Sequence, residues 1–270
     1  MTLDEKYLRL KEILREMGSV LVAFSGGLDS TFLLHQAKAV LGPDRVLALT
    51  ATSPTYPQHE LDESRELAAL LGVRQLVVAS DELEIPGFAS NTIRRCYHCK
   101  EALFTLCRES AREHGLAAVA DGTNVDDLSD YRPGREAAAE LGVRSPLLEA
   151  QLNKSEIRYL SRELNLPTWT KQPFACLSSR FPYGTEITRE RLGQVDRCET
   201  SLRQHGFHTF RVRYHGDTAR IEVAAEEIPR FADPAVRTAV VDACKSAGFT
   251  YIALDLQGYR TGSMNETLRS

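Results

Sequence analysis

The segment FSGGLDS, residues 24–30, combines small, hydroxyl and carboxylate side chains in an order that suits phosphate binding. Glycines let a backbone approach an anion without a clash from Cβ atoms, and amides at the start of a helix point at phosphate oxygens. Asp29 fits beside phosphates only if it meets Mg²⁺. The segment matches neither GxxxxGK(S/T) nor GxGxxG, and an ordinary glycine-rich turn is the alternative. The residues predicted to contact phosphate are Ser25, Gly26, Gly27 and Ser30.

Three of the six cysteines lie outside helical patterns and are candidates for chemistry. Cys96 and Cys99 have CxxC spacing in RRCYHCK, before a helix predicted to begin near Lys100. Two thiolates so spaced can bind one metal ion or one edge of an iron–sulfur cluster. Cys176 lies in KQPFACLSSRFPYG, a segment interrupted by two prolines. We favour an iron–sulfur site of these three cysteines; a redox dithiol, a zinc site or no cofactor are the alternatives.

Arginines accompany Cys176 in the sequence. Arg180 follows it closely, and Arg211 and Arg213 alternate on one face of a predicted strand in RVRYHG. Cationic neighbours favour a thiolate, and guanidinium groups bind carboxylates. We therefore predict that the three arginines orient an anionic substrate, with a charged outer strand face as the alternative for Arg211 and Arg213.

The elements that must position these residues change character along the chain. The first part alternates apolar strands with helical patterns, which predicts a Rossmann-like parallel sheet covered on both faces, with ligands at the carboxyl ends of its strands. The later part predicts a long helix, two strands, a helix and a strand. The predicted fold class is α/β, with a phosphate-loop domain over residues 1–172 and a smaller α+β domain over residues 173–270. Cys176 would lie where the two domains join, a preferred place for chemistry.

The bulk composition excludes several classes of protein. The chain of 270 residues carries a net charge of −4, which argues against a broad basic surface and a stable nucleic-acid partner. No apolar run reaches the ~18 residues of a membrane span, and the charged N-terminal helix is unlike a signal peptide. We expect a cytoplasmic protein with reduced cysteines.

The loop SGGLDS resembles the PP-loop of the ATP pyrophosphatases. This superfamily cleaves ATP between the α- and β-phosphates, adenylates an oxygen of the substrate, and then forms an amide or inserts sulfur. The resemblance implies that ATP binds at the PP-loop with Mg²⁺ on Asp29, and that the ends of neighbouring strands complete the nucleotide site. The further residues so implied are Ala23, Thr50, Ser53, Gly122 and Asn124.

Longer blocks resemble one family over essentially the whole chain. FSGGLDS, RCYHCK, DGTNVDDLSDYRPG, GVRSPL, ACLSSRFPYG, RVRYHGDTARIEV and LDLQGYRTGSMNE together resemble the LarE family. LarE proteins are ATP-dependent sulfur transferases that act on pyridinium-3,5-biscarboxylic acid mononucleotide, in the synthesis of the nickel-pincer nucleotide of lactate racemase. The resemblance also implies a homo-oligomer, a trimer or hexamer.

The family resemblance leaves two sources of sulfur. In one, the cysteine at position 176 gives up its own sulfur; in the other, Cys96, Cys99 and Cys176 hold a 4Fe-4S cluster that carries a further sulfide. The CxxC pair in this chain resembles the second kind. Tyr97, between the paired cysteines, is predicted to stack on the pyridinium ring.

Two other enzyme classes use a PP-loop. A tRNA-thiolating enzyme would need a basic surface or an added RNA-binding domain, which the net charge and length oppose. An amide-forming synthetase, such as an NAD synthetase, has no need of three cysteines. A nucleotide-sensing module without catalysis is the remaining alternative.

Overall fold

The computed structural model describes residues 1–128, 133–173, 175–260 and 262–264. Parts of the DGTNVDDLSDYRPG and GYRTGSMNE blocks lie outside these residues. The described chain forms two compact units, Met1–Ile85 with Arg94–Phe174, and Pro86–Ile93 with Ala175–Ser270. The segment Pro86–Ile93 thus interrupts the first predicted domain, and the predicted domain division between residues 172 and 173 stays a prediction.

The first unit is a parallel sheet with helices on both faces. The sheet order is β3-β2-β1-β4, and each neighbouring pair of strands is parallel. Its elements are α1 Leu3–Met17, β1 Val20–Ala23, α2 Leu28–Leu41, β2 Val46–Thr52, α3 Gln58–Leu70, β3 Arg74–Ala79, α4 Arg95–Glu113, β4 Ala118–Ala120, α5 Gly134–Glu140, α6 Pro146–Glu149 and α7 Lys154–Glu163.

The central strand β1 sends alternate side chains to opposite faces of the sheet. Val20 and Val22 pack on one side with Phe32 of α2, and Leu21 packs on the other with Phe104 of α4. All five side chains are fully buried. Because both faces are apolar, polar chemistry in this unit is confined to the ends of the strands.

Helix α7 begins at a capping box formed by Asn153 and Glu156. Asn153 Oδ1 accepts a hydrogen bond from Glu156 N at 2.9 Å, and Glu156 Oε2 accepts one from Asn153 N at 2.9 Å. This reciprocal pair satisfies two amides at the helix start and fixes the backbone of Lys154, the first residue of the helix.

Helix α4 begins earlier than the sequence suggests. It starts at Arg95 with no side-chain cap, so the prediction of a start near Lys100 is wrong. Cysteine, tyrosine and histidine have modest helix propensities, and without a capping residue the first turn looks irregular in sequence. Cys96 and Cys99 therefore both lie within the first five residues of α4.

The second unit contains a small mixed sheet with two helices. Strands β5 and β6 are antiparallel, and β6 and β7 are parallel. Its elements are α8 Arg189–Gln204, β5 Phe210–His215, β6 Thr218–Val223, α9 Pro234–Ser246 and β7 Tyr251–Leu254. With the parallel sheet of the first unit, this confirms the predicted fold class.

Buried groups hold the second unit together. Cys198 of α8 and Cys244 of α9 are fully buried, in line with the apolar role that helical cysteines usually have. Asn91 joins the returning segment Pro86–Ile93 to this unit by donating to the carbonyls of Phe181 and Pro182 at 3.3 and 2.7 Å. Among the described residues, no helix has both the length and the apolar character that crossing a membrane requires.

Candidate functional site

The phosphate loop lies between β1 and α2. Helix α2 begins at Leu28 after Gly27, which provides no side-chain cap, so the first amides of the helix have no partner within it. The Oγ atoms of Ser25 and Ser30 lie 3.2 Å apart, and Ser25 N donates to Ser30 Oγ at 3.3 Å. One turn of chain thus presents helix-start amides and two hydroxyls, which is a suitable arrangement for an anion.

Asp29 introduces a carboxylate into this loop. Its Oδ2 atom accepts a hydrogen bond from Lys154 Nζ, while its Oδ1 atom is buried and has no hydrogen-bond partner among the described residues. Burial raises the pKa of Asp29, and Lys154 opposes that shift. A carboxylate oxygen without a donor is the kind of ligand that Mg²⁺ takes. The residues present therefore fit the predicted magnesium ion.

Two of the predicted nucleotide contacts use their hydroxyls to hold the protein. Thr50 Oγ1 donates to the carbonyl of Phe24 at 2.7 Å and accepts from Gln75 Nε2 at 2.8 Å. Ser53 Oγ lies 3.1 Å from Thr55 Oγ1 within its own turn. Thr50 thereby anchors the chain where it leaves β1. Direct nucleotide contact by Thr50 or Ser53 stays a prediction.

The remaining predicted contacts lie at the ends of β1 and β4. Ala23 is the half-buried last residue of β1. A Cβ atom on Gly122 would lie 3.0 Å from Ser30 N and 3.2 Å from Asp29 Cβ, so glycine is needed where this loop packs on the start of α2. Asn124 is buried, and its Nδ2 atom has no partner in the part of the chain that the structure describes.

Tyr56 is a residue of this site that the sequence did not reveal. Its hydroxyl donates to the carbonyl of Ser25 at 2.9 Å, and burial together with Glu60 and Glu63 raises the pKa of Tyr56. It lies in the turn after β2, at the same edge of the sheet as the phosphate loop. An aromatic residue between two prolines reads as an ordinary loop residue, so only its place after a strand hinted at a role.

The CxxC pair lies on one side of the N-terminal end of α4, because positions three apart share a helix face. The Cys96 side chain is exposed and that of Cys99 is half-buried, and their role as two ligands of a cluster stays a prediction. Among the described residues, no three His, Cys, Asp or Glu side chains form a group that could hold a metal ion.

Tyr97 is half-buried and lies between the two cysteines in the sequence. Its hydroxyl donates to Glu140 Oε2 at 2.5 Å, and this bond raises the pKa of Tyr97 to about 12. The guanidinium of Arg94 lies 4.5 Å from the ring centroid. Stacking of a substrate ring on Tyr97 stays a prediction. It would use the face of the Tyr97 ring opposite to Arg94.

Cys176 belongs to the second unit and immediately precedes the short 3₁₀ turn Leu177–Arg180. The buried Arg180 donates to the carbonyl oxygens of Ala175 and Cys176 at 2.5 and 3.0 Å. It also binds Glu199 through two bonds of 2.9 and 2.8 Å. Arg180 thus fixes the backbone at Cys176, and its charge is balanced by a buried glutamate.

Arg213 holds the other end of the same turn. It donates to the carbonyl of Ser179 at 3.1 Å and to Glu222 Oε2 at 2.7 Å. Arg213 and Glu222 are buried, so the alternative of a charged outer strand face fails for Arg213. The two glutamates, Glu199 and Glu222, were missed because a lone acidic residue in a helix or strand carries no distinctive signal.

Arg211 differs from the other two arginines. It is half-buried, its Nη1 atom donates to the carbonyl of Phe210 at 2.6 Å, and its guanidinium lies 5.1 Å from the Tyr259 ring centroid. Burial and the nearby Arg180 lower the pKa of Arg211. A role for these arginines in substrate orientation stays a prediction.

Comparison with known proteins gives a full-length match. The chain is 41% identical over 267 residues, 99% of its length and 96% of the other, to the pyridinium-3,5-bisthiocarboxylic acid mononucleotide synthase of Lactiplantibacillus plantarum. This chain belongs to the LarE family. It is also 42% identical over 266 residues, 98% of its length and 99% of the other, to an uncharacterised protein of Synechocystis sp..

More distant matches include NAD synthases. The NAD synthase family model matches residues 3–100. The NH(3)-dependent NAD(+) synthetase of Methanoregula boonei is 26% identical over 131 residues, 42% of this chain and 52% of the other. Together with LarE membership, this confirms that the chain is an enzyme of the ATP-using PP-loop class, an ATP-dependent sulfurtransferase by family.

Substituting alanine for Gly26 in this LarE protein is expected to weaken ATP binding on the order of tenfold, corresponding to ~1.4 kcal/mol. Gly26 has a φ of +67°, and an added Cβ would lie 3.2 Å from Ser64 Cβ of α3. The side chain would therefore strain the loop and also push it from α3. Titration calorimetry with ATP and Mg²⁺ provides the measurement.

Gly18→Ala is the matched control for Gly26→Ala. Gly18 has a φ of +70°, and nothing in the described chain lies within 4 Å of an added Cβ. Gly18→Ala therefore has the same backbone strain as Gly26→Ala but no close contact with a neighbouring residue. Equal ATP affinities for the two variants would contradict the assigned packing of the loop on α3.

Glu199→Gln is expected to lower the free energy of unfolding by about 3–5 kcal/mol, since it leaves a buried guanidinium without its counter-charge. Burial would raise the pKa of Glu199, but Arg180 outweighs it and the pKa is lowered. The stabilisation from the Glu199 carboxylate is therefore complete at pH values above the ordinary glutamate pKa. It is lost as the pH falls through the lowered pKa of Glu199 in the folded protein. Urea unfolding at a series of pH values measures both effects.

The control is Glu12→Gln, which removes an exposed pair with Arg9 at 3.3 Å and should change the free energy of unfolding by at most about 1 kcal/mol. An acid unfolding profile of Glu199→Gln identical to that of the unmodified protein would show that the buried pair does not act as described.

Proposed function

We propose that this chain adenylates a carboxylate of pyridinium-3,5-biscarboxylic acid mononucleotide and converts it to a thiocarboxylate, in the synthesis of the nickel-pincer nucleotide of lactate racemase. The main support is the 41% identity over 99% of the chain to a synthase named for the thiolated product. The phosphate loop adds support, since Asp29 Oδ1 is buried, has no hydrogen-bond partner in the described part of the chain, and is therefore open to a magnesium ion.

The first step activates the carboxylate. The amides of the PP-loop and the hydroxyls of Ser25 and Ser30 bind the phosphates that leave, and Asp29 holds Mg²⁺, which offsets the charge on them. A carboxylate oxygen of the substrate attacks the α-phosphorus, and the bond to the β-phosphate oxygen breaks. Pyrophosphate departs and an acyl-adenylate remains.

The second step replaces AMP with sulfur. If Cys176 is the donor, its thiolate attacks the acyl carbon and AMP leaves. A base then removes the Cα proton of the cysteine, the Cα=Cβ double bond forms, and the Cβ–Sγ bond breaks, which releases the thiocarboxylate and leaves dehydroalanine. A 4Fe-4S cluster on Cys96, Cys99 and Cys176 would supply a sulfide instead. The CxxC pair favours the cluster for this chain.

The arginines and Tyr97 are proposed to position the substrate. Arg180, Arg211 and Arg213 together would orient a carboxylate or phosphate of the substrate, with Arg180 and Arg213 themselves held by Glu199 and Glu222. Tyr97 would stack on the pyridinium ring through the face that Arg94 does not cover. We further propose a homo-oligomer, a trimer or hexamer, as the family resemblance implies; light scattering tests it.

Anaerobically purified protein is expected to release pyrophosphate from ATP and Mg²⁺ only when the pyridinium dicarboxylate is present. Mass spectrometry should then detect the thiocarboxylate. Nicotinic acid adenine dinucleotide with ammonia is the matched alternative substrate, because the NAD synthase model covers residues 3–100. Pyrophosphate release with that pair, and not with the dicarboxylate, would replace the proposal with amide formation.

Cys96→Ser and Cys99→Ser are each expected to remove the brown colour of anaerobic protein, because each takes away one thiolate ligand. Cys107→Ala is the control, as Cys107 is fully buried in the apolar core and should leave the visible spectrum unchanged.

The mass of the protein after turnover separates the two sulfur sources. Unchanged mass with a coloured protein supports the cluster. A loss of one H₂S at Cys176 in colourless protein would show that Cys176 is the donor.

A further inference from the structure

The Lys154 ammonium lies on the Asp29 carboxylate of the phosphate loop. Its backbone is held at the start of α7 by the Asn153–Glu156 capping box, and Lys154 N donates to Asp126 Oδ2 at 2.6 Å. The side chain itself is less constrained, with 34% of its surface exposed. The backbone of Lys154 is therefore fixed, while its ammonium group can change partners.

Lys154 and a magnesium ion compete for the same carboxylate. Asp29 offers Oδ1 to a cation and gives Oδ2 to Lys154, and a doubly charged ion at Asp29 would repel the ammonium only a few ångströms away. The departing ammonium then needs another anion within reach of its four-carbon side chain. ATP phosphates beside the loop amides supply it.

We propose that Lys154 binds the phosphates of ATP, resting on Asp29 beforehand and moving to the nucleotide when Mg²⁺ takes that carboxylate. The inference rests on the proposed ATP-dependent function and assigns a second cation to the pyrophosphate that leaves. Resting on Asp29 also keeps an anion-binding loop from carrying an uncompensated negative charge before the nucleotide arrives.

Two other roles for Lys154 make different predictions. It could serve only to neutralise Asp29, or it could pass to Asp127, which is close enough to act electrostatically on Asp29. In either case the ammonium would contribute nothing to nucleotide affinity once Mg²⁺ is saturating. Nucleotide affinity at saturating Mg²⁺ therefore distinguishes phosphate binding by Lys154 from these two alternative roles.

Lys154→Met is expected to weaken binding of α,β-methylene ATP on the order of tenfold to a hundredfold at saturating Mg²⁺, the range for losing one charge-assisted hydrogen bond. Calorimetry on the full chain measures this without turnover or the pyridinium substrate. Electron paramagnetic resonance with Mn²⁺ gives a second measurement on Lys154→Met with the analogue bound. The Mn²⁺ concentration for half-saturation should be no higher than that of the unmodified protein, because the variant lacks the ammonium that competes with the metal ion for Asp29. Lys154→Arg, which keeps the charge, should recover most of the affinity.

Lys6→Met is the matched control. It removes a lysine of the same unit from its ion pair with Glu156 of α7, at 2.8 Å, and should leave analogue affinity within about twofold of the unmodified protein. Lys154→Gln replaces Lys154→Met if the apolar variant does not fold, as judged by circular dichroism.

Analogue affinity of Lys154→Met or Lys154→Gln equal to that of the unmodified protein at saturating Mg²⁺ would overturn the inference. Failure of the unmodified protein to bind the analogue would overturn both this inference and the proposed function. Analogue binding that depends on Lys154, without pyrophosphate release on the pyridinium dicarboxylate, would reject the proposed substrate and leave the role of Lys154 standing.

Discussion

Strand β1 is paired in parallel with β2 on one side and β4 on the other, and this pairing determines where the first unit can carry out chemistry. Both faces of the sheet are apolar, so polar side chains collect where the strands end. The buried Thr50 hydroxyl then ties the carbonyl of Phe24 to the neighbouring strand, and Tyr56 ties the carbonyl of Ser25. These two bonds fix the start of the phosphate loop, while its amides and serine hydroxyls are left to face an anion. Thr50, which was expected to contact the nucleotide, can therefore contribute to the site by holding the phosphate loop in place.

Charged groups in the two units are compensated in different ways. Arg180 and Arg213 are buried with Glu199 and Glu222, and such pairs add little net stability although removing one partner is costly. Their value lies in geometry, since both guanidinium groups also bind backbone carbonyls of the turn that follows Cys176. The Lys154–Asp29 pair is more exposed, with 34% and 20% of the side-chain surfaces accessible. A pair with that access to solvent can be exchanged for a metal ion and a phosphate, whereas the buried pairs cannot open without unfolding their surroundings.

The sequence predicts those features that depend on neighbouring residues. Apolar runs indicated the strands, and glycines with serines indicated the phosphate loop. Features that join distant residues were not predictable: Lys154 and Asp29 are 125 positions apart, and Asn91 reaches Phe181 over 90 positions. The same reason explains why Pro86–Ile93 was included in the first predicted domain, because its partners are known only once the chain is folded. The early start of α4 was missed for a local reason, the absence of a capping side chain.

The contacts around Cys176 bear on the source of sulfur. Arg180 and Arg213 bind carbonyl oxygens of residues 175, 176 and 179, so the path of this turn does not depend on the cysteine side chain. A residue that loses its sulfur to become dehydroalanine needs such a backbone, because the turn must survive the loss of Sγ. A residue that ligates a cluster needs it equally, since a fixed backbone holds the thiolate in one direction. The turn at Cys176 is therefore compatible with both routes, and the distinction lies elsewhere in the chain. The sacrificial route does not require Cys96 and Cys99, which lie on one face at the N-terminal end of α4, and their presence is the feature that favours a cluster.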